Sequence, residues 1–187
     1  MLNYNSTIKD EIKLNDLSIR EISPVMKLNI RGRKREFFTS VGKNINMLLP
    51  TEANTSSTSD KITAVWLSPD EWMIFSNEEA QKGSNKYEIE ELLYKNISRV
   101  NLGAVTDVTD QFVLLELKGK KIFELFASGS PFNFKNFKEK KGSTTQTLLN
   151  HIDVIIHHKN ENLVNLFVRR SYSEHLWSWL NDSSKRL

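Results

Sequence analysis

Asp107 and Asp110, which flank Val108 and Thr109, are the pair of carboxylates in this 187-residue chain whose spacing could support acid–base chemistry. A general base or a ligand carboxylate there would have to lie within hydrogen-bond reach of a substrate proton. A turn role competes, because Asp side chains accept hydrogen bonds from amides two residues further on. The turn is the preferred reading, since no second carboxylate cluster supports proton transfer. The four histidines are His151, His157, His158 and His175. Neighbouring residues of a strand point to opposite faces, so His157 and His158 do not meet at one metal from a regular strand. No H-x-H or H-E-x-x-H spacing occurs, and the histidines read as members of a solvated hairpin. The seven glycines form neither a G-x-G-x-x-G fingerprint nor a phosphate-cradling loop, and there is no G-x-S-x-G elbow.

The remaining candidates are cations and aromatics. Arg31 to Arg35 form a basic run broken by Gly32, and Lys138 to Lys141 form a lesser one interrupted by Glu139. With a net charge of +3 these read as solvated loop charges, and no nucleic-acid partner is expected. Arg169 and Arg170 close an apolar stretch. In an extended segment their side chains diverge, and one turned inward needs a carboxylate from this chain or from a partner. Trp177 and Trp179 lie about 200° apart on a helix, so they are not expected to pack together on a single core stripe. If Trp179 is core, Trp177 is left at the surface or in a partner. Arg31, Arg169, Arg170 and Trp177 are therefore the candidate interface residues, of the types that interface hot spots favour.

Composition narrows the field. Cysteine is absent, which removes disulfides, thiolate catalysis, iron–sulfur clusters and thiolate zinc sites, and suits a reducing compartment such as the cytoplasm. No run approaches the ~18 apolar residues that a membrane span needs. Lys9, Asp10, Glu11 and Lys13 stand where an export signal would be apolar.

The elements that must position these residues follow from periodicity. Residues 1–23 read as a polar, mixed-charge N-terminal arm that folds against a partner, and 24–187 as one domain or two small subdomains sharing a core. Strands are expected at Val25–Ile30, Ile62–Leu67, Glu71–Ser76, Ala104–Val108, Gln111–Leu117, Thr144–Leu149, Ile152–His157 and Leu163–Val168. Helices are expected at Lys34–Met47, Lys86–Ile97 and after Gly119, with a closing helix that a Ser171/Glu174 capping box would start. Ser68-Pro69-Asp70-Glu71 could cap a helix, but the short bulky run Trp72-Met73-Ile74-Phe75 favours a turn. Thr51 to Asp60, rich in Ser, Thr and Asn, reads as a loop. Strands and helices mix without regular alternation, so the fold class is α+β.

Four segments in order resemble the gamma subunit family of heterotetrameric sarcosine oxidase. The first is Leu28-Asn29-Ile30-Arg31-Gly32-Arg33, with Val41-Gly42, Leu49-Pro50-Thr51 and Asn54. The second is Trp66-Leu67-Ser68-Pro69-Asp70-Glu71-Trp72. The third runs from Val105-Thr106-Asp107-Val108-Thr109-Asp110 through Leu117, Gly119 and Gly129-Ser130-Pro131 to Phe134, Phe137, Gly142-Ser143 and Gln146-Thr147. The fourth is Leu166-Phe167-Val168-Arg169-Arg170-Ser171-Tyr172 with Leu176-Trp177 and Trp179-Leu180. Ser68 replaces the family's usual Gly, and Ser130 its usual Cys.

The resemblance implies mixed or antiparallel sheets with packed helices, similar to the folate-binding domain of aminomethyltransferases. It implies an accessory subunit without a complete active site, and no catalytic, cofactor-binding or metal-binding residue is assigned in this chain. The partners would be alpha, beta and delta subunits of an oxidoreductase acting on CH–NH donors. That assembly demethylates sarcosine to glycine and passes the one-carbon unit to tetrahydrofolate. FAD, FMN, NAD, the folate site and zinc would belong to the other subunits. The related folate enzymes carry a Gly-Gly-x-x-Asp-Asp segment that does not occur here. A free-standing folate-binding module or aminomethyltransferase-like enzyme is the alternative. An RNA-binding role through Arg31 to Arg35 is a more distant one.

Overall fold

The computed structural model describes residues 5–22, 25–76 and 88–187. They divide into two compact units, one falling within residues 24–109 and the other combining residues up to 23 with 110–187. No helix among the described residues is long and apolar enough to cross a membrane.

β1 (Ile12–Leu14) and β2 (Leu17–Ile22) belong to the second unit. The first unit contains β3 (Lys27–Arg31), α1 (Arg35–Ile45), β4 (Ser56–Thr58), β5 (Ile62–Ser68) and β6 (Glu71–Ser76). It continues with α2 (Glu88–Leu93), a π-helical turn (Tyr94–Ser98) and β7 (Ala104–Asp107). The second unit resumes with β8 (Phe112–Lys118), α3 (Ile122–Ala127) and β9 (Thr144–Leu149). β10 (Ile152–Asn160), β11 (Leu163–Arg169) and α4 (Ser173–Ser184) complete it.

In the first unit the strands run antiparallel in the order β4-β5-β6-β3-β7. Leu28 and Ile30, Ile62 and Ala64, and Trp72 and Ile74 share one sheet face by two-residue alternation. Against them pack Phe37, Val41 and Ile45, four residues apart on α1, together with Leu93 and Ile97. Asn46 ends α1 in the left-handed region (φ 51°), its amide bonding back to the Gly42 carbonyl. Gly32 admits the Phe37 ring at a distance no side chain would allow, because a Cβ there would lie 2.3 Å from it.

The second unit is a six-stranded antiparallel sheet in the order β1-β2-β8-β11-β10-β9. Val113, Leu115 and Leu117 of β8 share one face with Val164, Leu166 and Val168 of β11. On that face sit Ile122, Leu125 and Phe126 of α3, and Leu176 and Leu180 of α4. The loop Pro131 to Phe134 adds to this core, and Phe123, Phe132, Phe134 and Phe137 form a mesh of edge-on and tilted rings.

Several sequence expectations change. Residues 12–14 and 17–22, expected in the N-terminal arm, are strands of the second unit's sheet, where Ile19 pairs with Leu117. The alternation of Leu17 and Ile19 with Ser18 and Arg20 carries the physical reason: one apolar side and one polar side suit a sheet strand. The 51–60 loop contains β4, whose Thr58 hydroxyl lies 3.2 Å from that of Thr63. The helix expected from Lys86 is α-helical for Glu88–Leu93 and then widens to a π turn, while residues 86 and 87 lie outside the described residues. The expected capping box does not form. A 3-10 turn (Arg170–Tyr172) leads into α4, and Tyr172 before the helix has φ −108° and ψ −2°, not the extended backbone a capping residue needs. There the Ser173 hydroxyl donates to the Arg170 carbonyl (2.8 Å).

Candidate functional site

The β5–β6 turn, Ser68 to Glu71, is a turn as the bulky run after it suggests, and it gathers the first unit's candidate cations. Asp70 accepts from the Ser68 hydroxyl (2.9 Å) and from Arg33 Nε (2.9 Å), and Arg31 approaches its other oxygen at 3.5 Å. The Ser68 hydrogen bond, and after it the Arg33 one, hold the Asp70 carboxyl below its ordinary range. Arg31 also lies 3.9 Å from Glu71, which accepts from the Asn29 side-chain amide at 2.7 Å. Arg31, offered from sequence as an interface candidate, is thus neutralised within its own unit. So is Arg33 in the basic run.

Asp107 accepts the Thr109 amide at 2.8 Å, the bond that a turn role requires. The Thr109 hydroxyl in turn accepts the Lys27 amide at 3.0 Å and ties β3 to the end of β7. Asp107 and Asp110 fall in different units.

The histidines of β10 are not solvated. His157 and His158 are 1% and 3% exposed, because apolar neighbours occupy both faces of the central strands. Their side chains separate as alternation demands. His158 lies edge-on to Phe123 and its Nδ1 is 3.1 Å from the Lys140 carbonyl, whereas His157 Nδ1 is 3.4 Å from the Asn165 amide nitrogen. Burial, followed by the charges of Lys159 and His158, pushes the His157 imidazole down to about 3, so it is neutral. Among the described residues no three His, Asp or Glu side chains group as metal ligands.

A carboxylate that sequence reasoning did not single out is Glu116, in the middle of β8. Its side chain is 8% exposed and meets Lys118 at 2.8 Å and Arg20 of β2 at 3.2 Å. Burial alone would raise this carboxyl, but the hydrogen bonds and charges of Lys118 and Arg20 outweigh it and the net shift is downward. The available signal was one acid within the apolar run Val113-Leu114-Leu115-Glu116-Leu117.

At the far end of β11 the picture differs. Arg169 is exposed and stacks its guanidinium over the Phe112 ring, 5.7 Å from the centroid, without an ion pair among the described residues. Arg170 is held by its amide to the Gln111 carbonyl, and its guanidinium donates to the Asn5 carbonyl. Arg169 has not turned inward onto a carboxylate among the described residues. Trp177 and Trp179 are both partly buried and both pack against the second unit's core, so Trp177 is not left at the open surface. Trp179 reaches Gly129, where a Cβ would lie 2.3 Å from its ring. The core around α4 is therefore wider than one stripe, since both tryptophans reach it.

The family described as "Sarcosine oxidase, gamma subunit family" matches residues 33–186. The chain belongs to this family. All four quoted segments reach into that span, and the β5–β6 turn and the β11–α4 junction are the second and fourth of them. No curated protein sequence matches the chain. Among solved structures, a chain of the heterotetrameric sarcosine oxidase from Corynebacterium sp. U-96, in complex with pyrrole 2-carboxylate, matches with TM-score 0.82 and 18% identity. That match covers 94% of this chain and 88% of the other. The glycine cleavage system aminomethyltransferase T from Bartonella henselae matches with TM-score 0.62 and 14% identity, over 88% of this chain and 45% of that one. The α+β fold of the gamma subunit family, similar to that of an aminomethyltransferase, is therefore the fold of this chain.

Proposed function

We propose that this chain is the accessory, non-catalytic gamma subunit of a cytoplasmic heterotetrameric sarcosine oxidase, bound to alpha, beta and delta subunits. The family match over residues 33–186 carries this reading. It is supported by what the chemically suggestive side chains are doing. Asp107 holds a turn amide, His157 is packed away in neutral form, and Arg31 and Arg33 share Asp70. Groups so engaged build a scaffold and have little freedom to move protons. In the assembly, sarcosine is oxidatively demethylated to glycine and the one-carbon unit passes to tetrahydrofolate. FAD, FMN, NAD, the folate and zinc are held by the other subunits.

Co-expression with the partner subunits, followed by mass analysis, tests this. The expected result is one complex containing this chain, with an interface upward of ~1,200 Å², while the isolated chain has no oxidase activity and retains no flavin. Turnover of sarcosine by the isolated chain would overturn it. The likeness to an aminomethyltransferase favours one alternative, a free-standing folate module. Calorimetry of the isolated chain with tetrahydrofolate separates the two, since heat of binding supports the module and its absence the subunit.

A further inference from the structure

A groove of about 460 Å³ lies at one end of the second unit's sheet, and its walls include Phe112, Pro131, Leu148, Asp153, Ile155 and Arg169. Register explains the arrangement. Leu148 pairs with Asp153, Arg169 pairs with Phe112, and Val154 pairs with Val168. One residue beyond that last pair, Asp153 and Arg169 stand side by side, so Leu148, Asp153, Arg169 and Phe112 form one row across four strands on a single face.

Two features set this row apart. Asp153 and Arg169 are both exposed, and neither side chain makes an ion pair or a hydrogen bond among the described residues. Arg20, Arg31, Arg33 and Arg186 each have a carboxylate in this chain, whereas Arg99, like Arg169, stacks on an aromatic ring; the groove differs in setting such an arginine beside an open aspartate. The charged pair is also flanked by apolar surface, with Leu148 39% exposed, Pro131 exposed and Phe112 half-buried. Arginine and aromatic side chains beside apolar area are the composition of an interface centre.

We propose that this groove is the docking surface for a partner subunit, which sets an acidic side chain against Arg169, a basic one against Asp153, and an apolar residue between Leu148 and Phe112. Charge complementarity selects a polypeptide as the occupant. A small anion would satisfy Arg169 and leave Asp153 facing like charge, whereas a folded surface brings both signs at the required spacing. Phe112 pre-orients the guanidinium and lowers the entropy lost on pairing. The inference rests on the subunit reading above and names the surface and the chemistry of its partner.

The test uses the co-expressed complex. Arg169→Glu is expected to weaken assembly by ~30-fold or more, and Leu148→Asp to weaken it as well. Arg186→Glu, at an arginine already paired with Asp182, is expected to leave assembly unchanged. The isolated Arg169→Glu chain should stay folded and melt only slightly below wild type, since it loses one exposed stacking contact on Phe112 and gains a like charge beside Asp153. Because the chain has no cysteine, Leu148→Cys carries a single probe, and its maleimide labelling should be fast in the isolated chain and blocked in the complex. If wild type assembles but Arg169→Glu and Leu148→Asp assemble as tightly, with Leu148→Cys still labelled, the groove assignment falls and the subunit reading stands. If wild type does not assemble, both fall. If native mass spectrometry finds a small anion on the isolated chain that Arg169→Glu loses, with assembly intact, the occupant is a small molecule and the proposal is overturned.

Discussion

At the β5–β6 turn of the first unit, two arginines converge on one aspartate, while at the end of β11 in the second unit an arginine and an aspartate stand together without a bond. Both places are solvent-accessible and both hold arginines that the sequence marked as interface candidates. The difference is that Asp70 is organised from the side by Ser68, which fixes its oxygens for Arg33. Asp153 has no such neighbour among the described residues, and Arg169 stacks on Phe112. A third place completes the comparison. Where charge enters the interior, at Glu116, two cations meet it. At these three places charge is met by two cations where Glu116 is buried, shared by two arginines where Ser68 organises Asp70, and left open where Asp153 and Arg169 face the groove.

The buried end of that comparison breaks most easily with acid. His157 has a folded value near 3 against an ordinary 6.5, so below 6.5 the unfolded chain takes up a proton that the folded one refuses. Its contribution is complete above pH 6.5 and is lost progressively as pH falls towards 3, by on the order of 4 kcal/mol in total. Urea midpoints should fall across that window, and His157→Gln should flatten the slope. A slope unchanged by the substitution would show that another group carries it. Glu116 comes next. Its carboxyl is lowered from the ordinary 4.5, so its stabilisation is present above that value and disappears as pH drops through the lower folded one. At neutral pH, Glu116→Gln should cost roughly 1–3 kcal/mol, because Lys118 and Arg20 lose the charge they pair with. Equal urea midpoints for variant and wild type would contradict that. The smallest effect belongs to Asp70, part-buried among its largely exposed cations. Asp70→Asn should lower the melting temperature slightly at low salt, and the difference should vanish towards ~1 M salt, where the screening length is about 3 Å. A difference that persists there would mean that the Ser68 hydrogen bond outweighs the ion pairs.

Local pattern carried much of the architecture. Short apolar runs placed β5, β6, β8 and β11 within one residue and the start of β10, which runs three residues past the expected His157, and helical spacing of Phe37, Val41 and Ile45 placed α1. Ser68-Pro69-Asp70-Glu71 was legible as a turn, and the order of four motifs was legible as a family. These are properties of residues close in the chain, where propensity and periodicity act. What the sequence left open depended on residues far apart. That residues 17–22 pair with β8, that Arg20 meets Glu116 across 96 positions, and that Asn165 faces His157 follow from strand pairing and not from any local signal. Alternation tells which side chains share a face but not whether that face is covered, so His157 and His158 read as hairpin residues until their burial was seen. Among Arg31, Arg169 and Arg170 the sequence saw three equivalent cations. Tertiary structure alone distinguished them, because pairing is decided by which carboxylate or carbonyl the fold brings within reach.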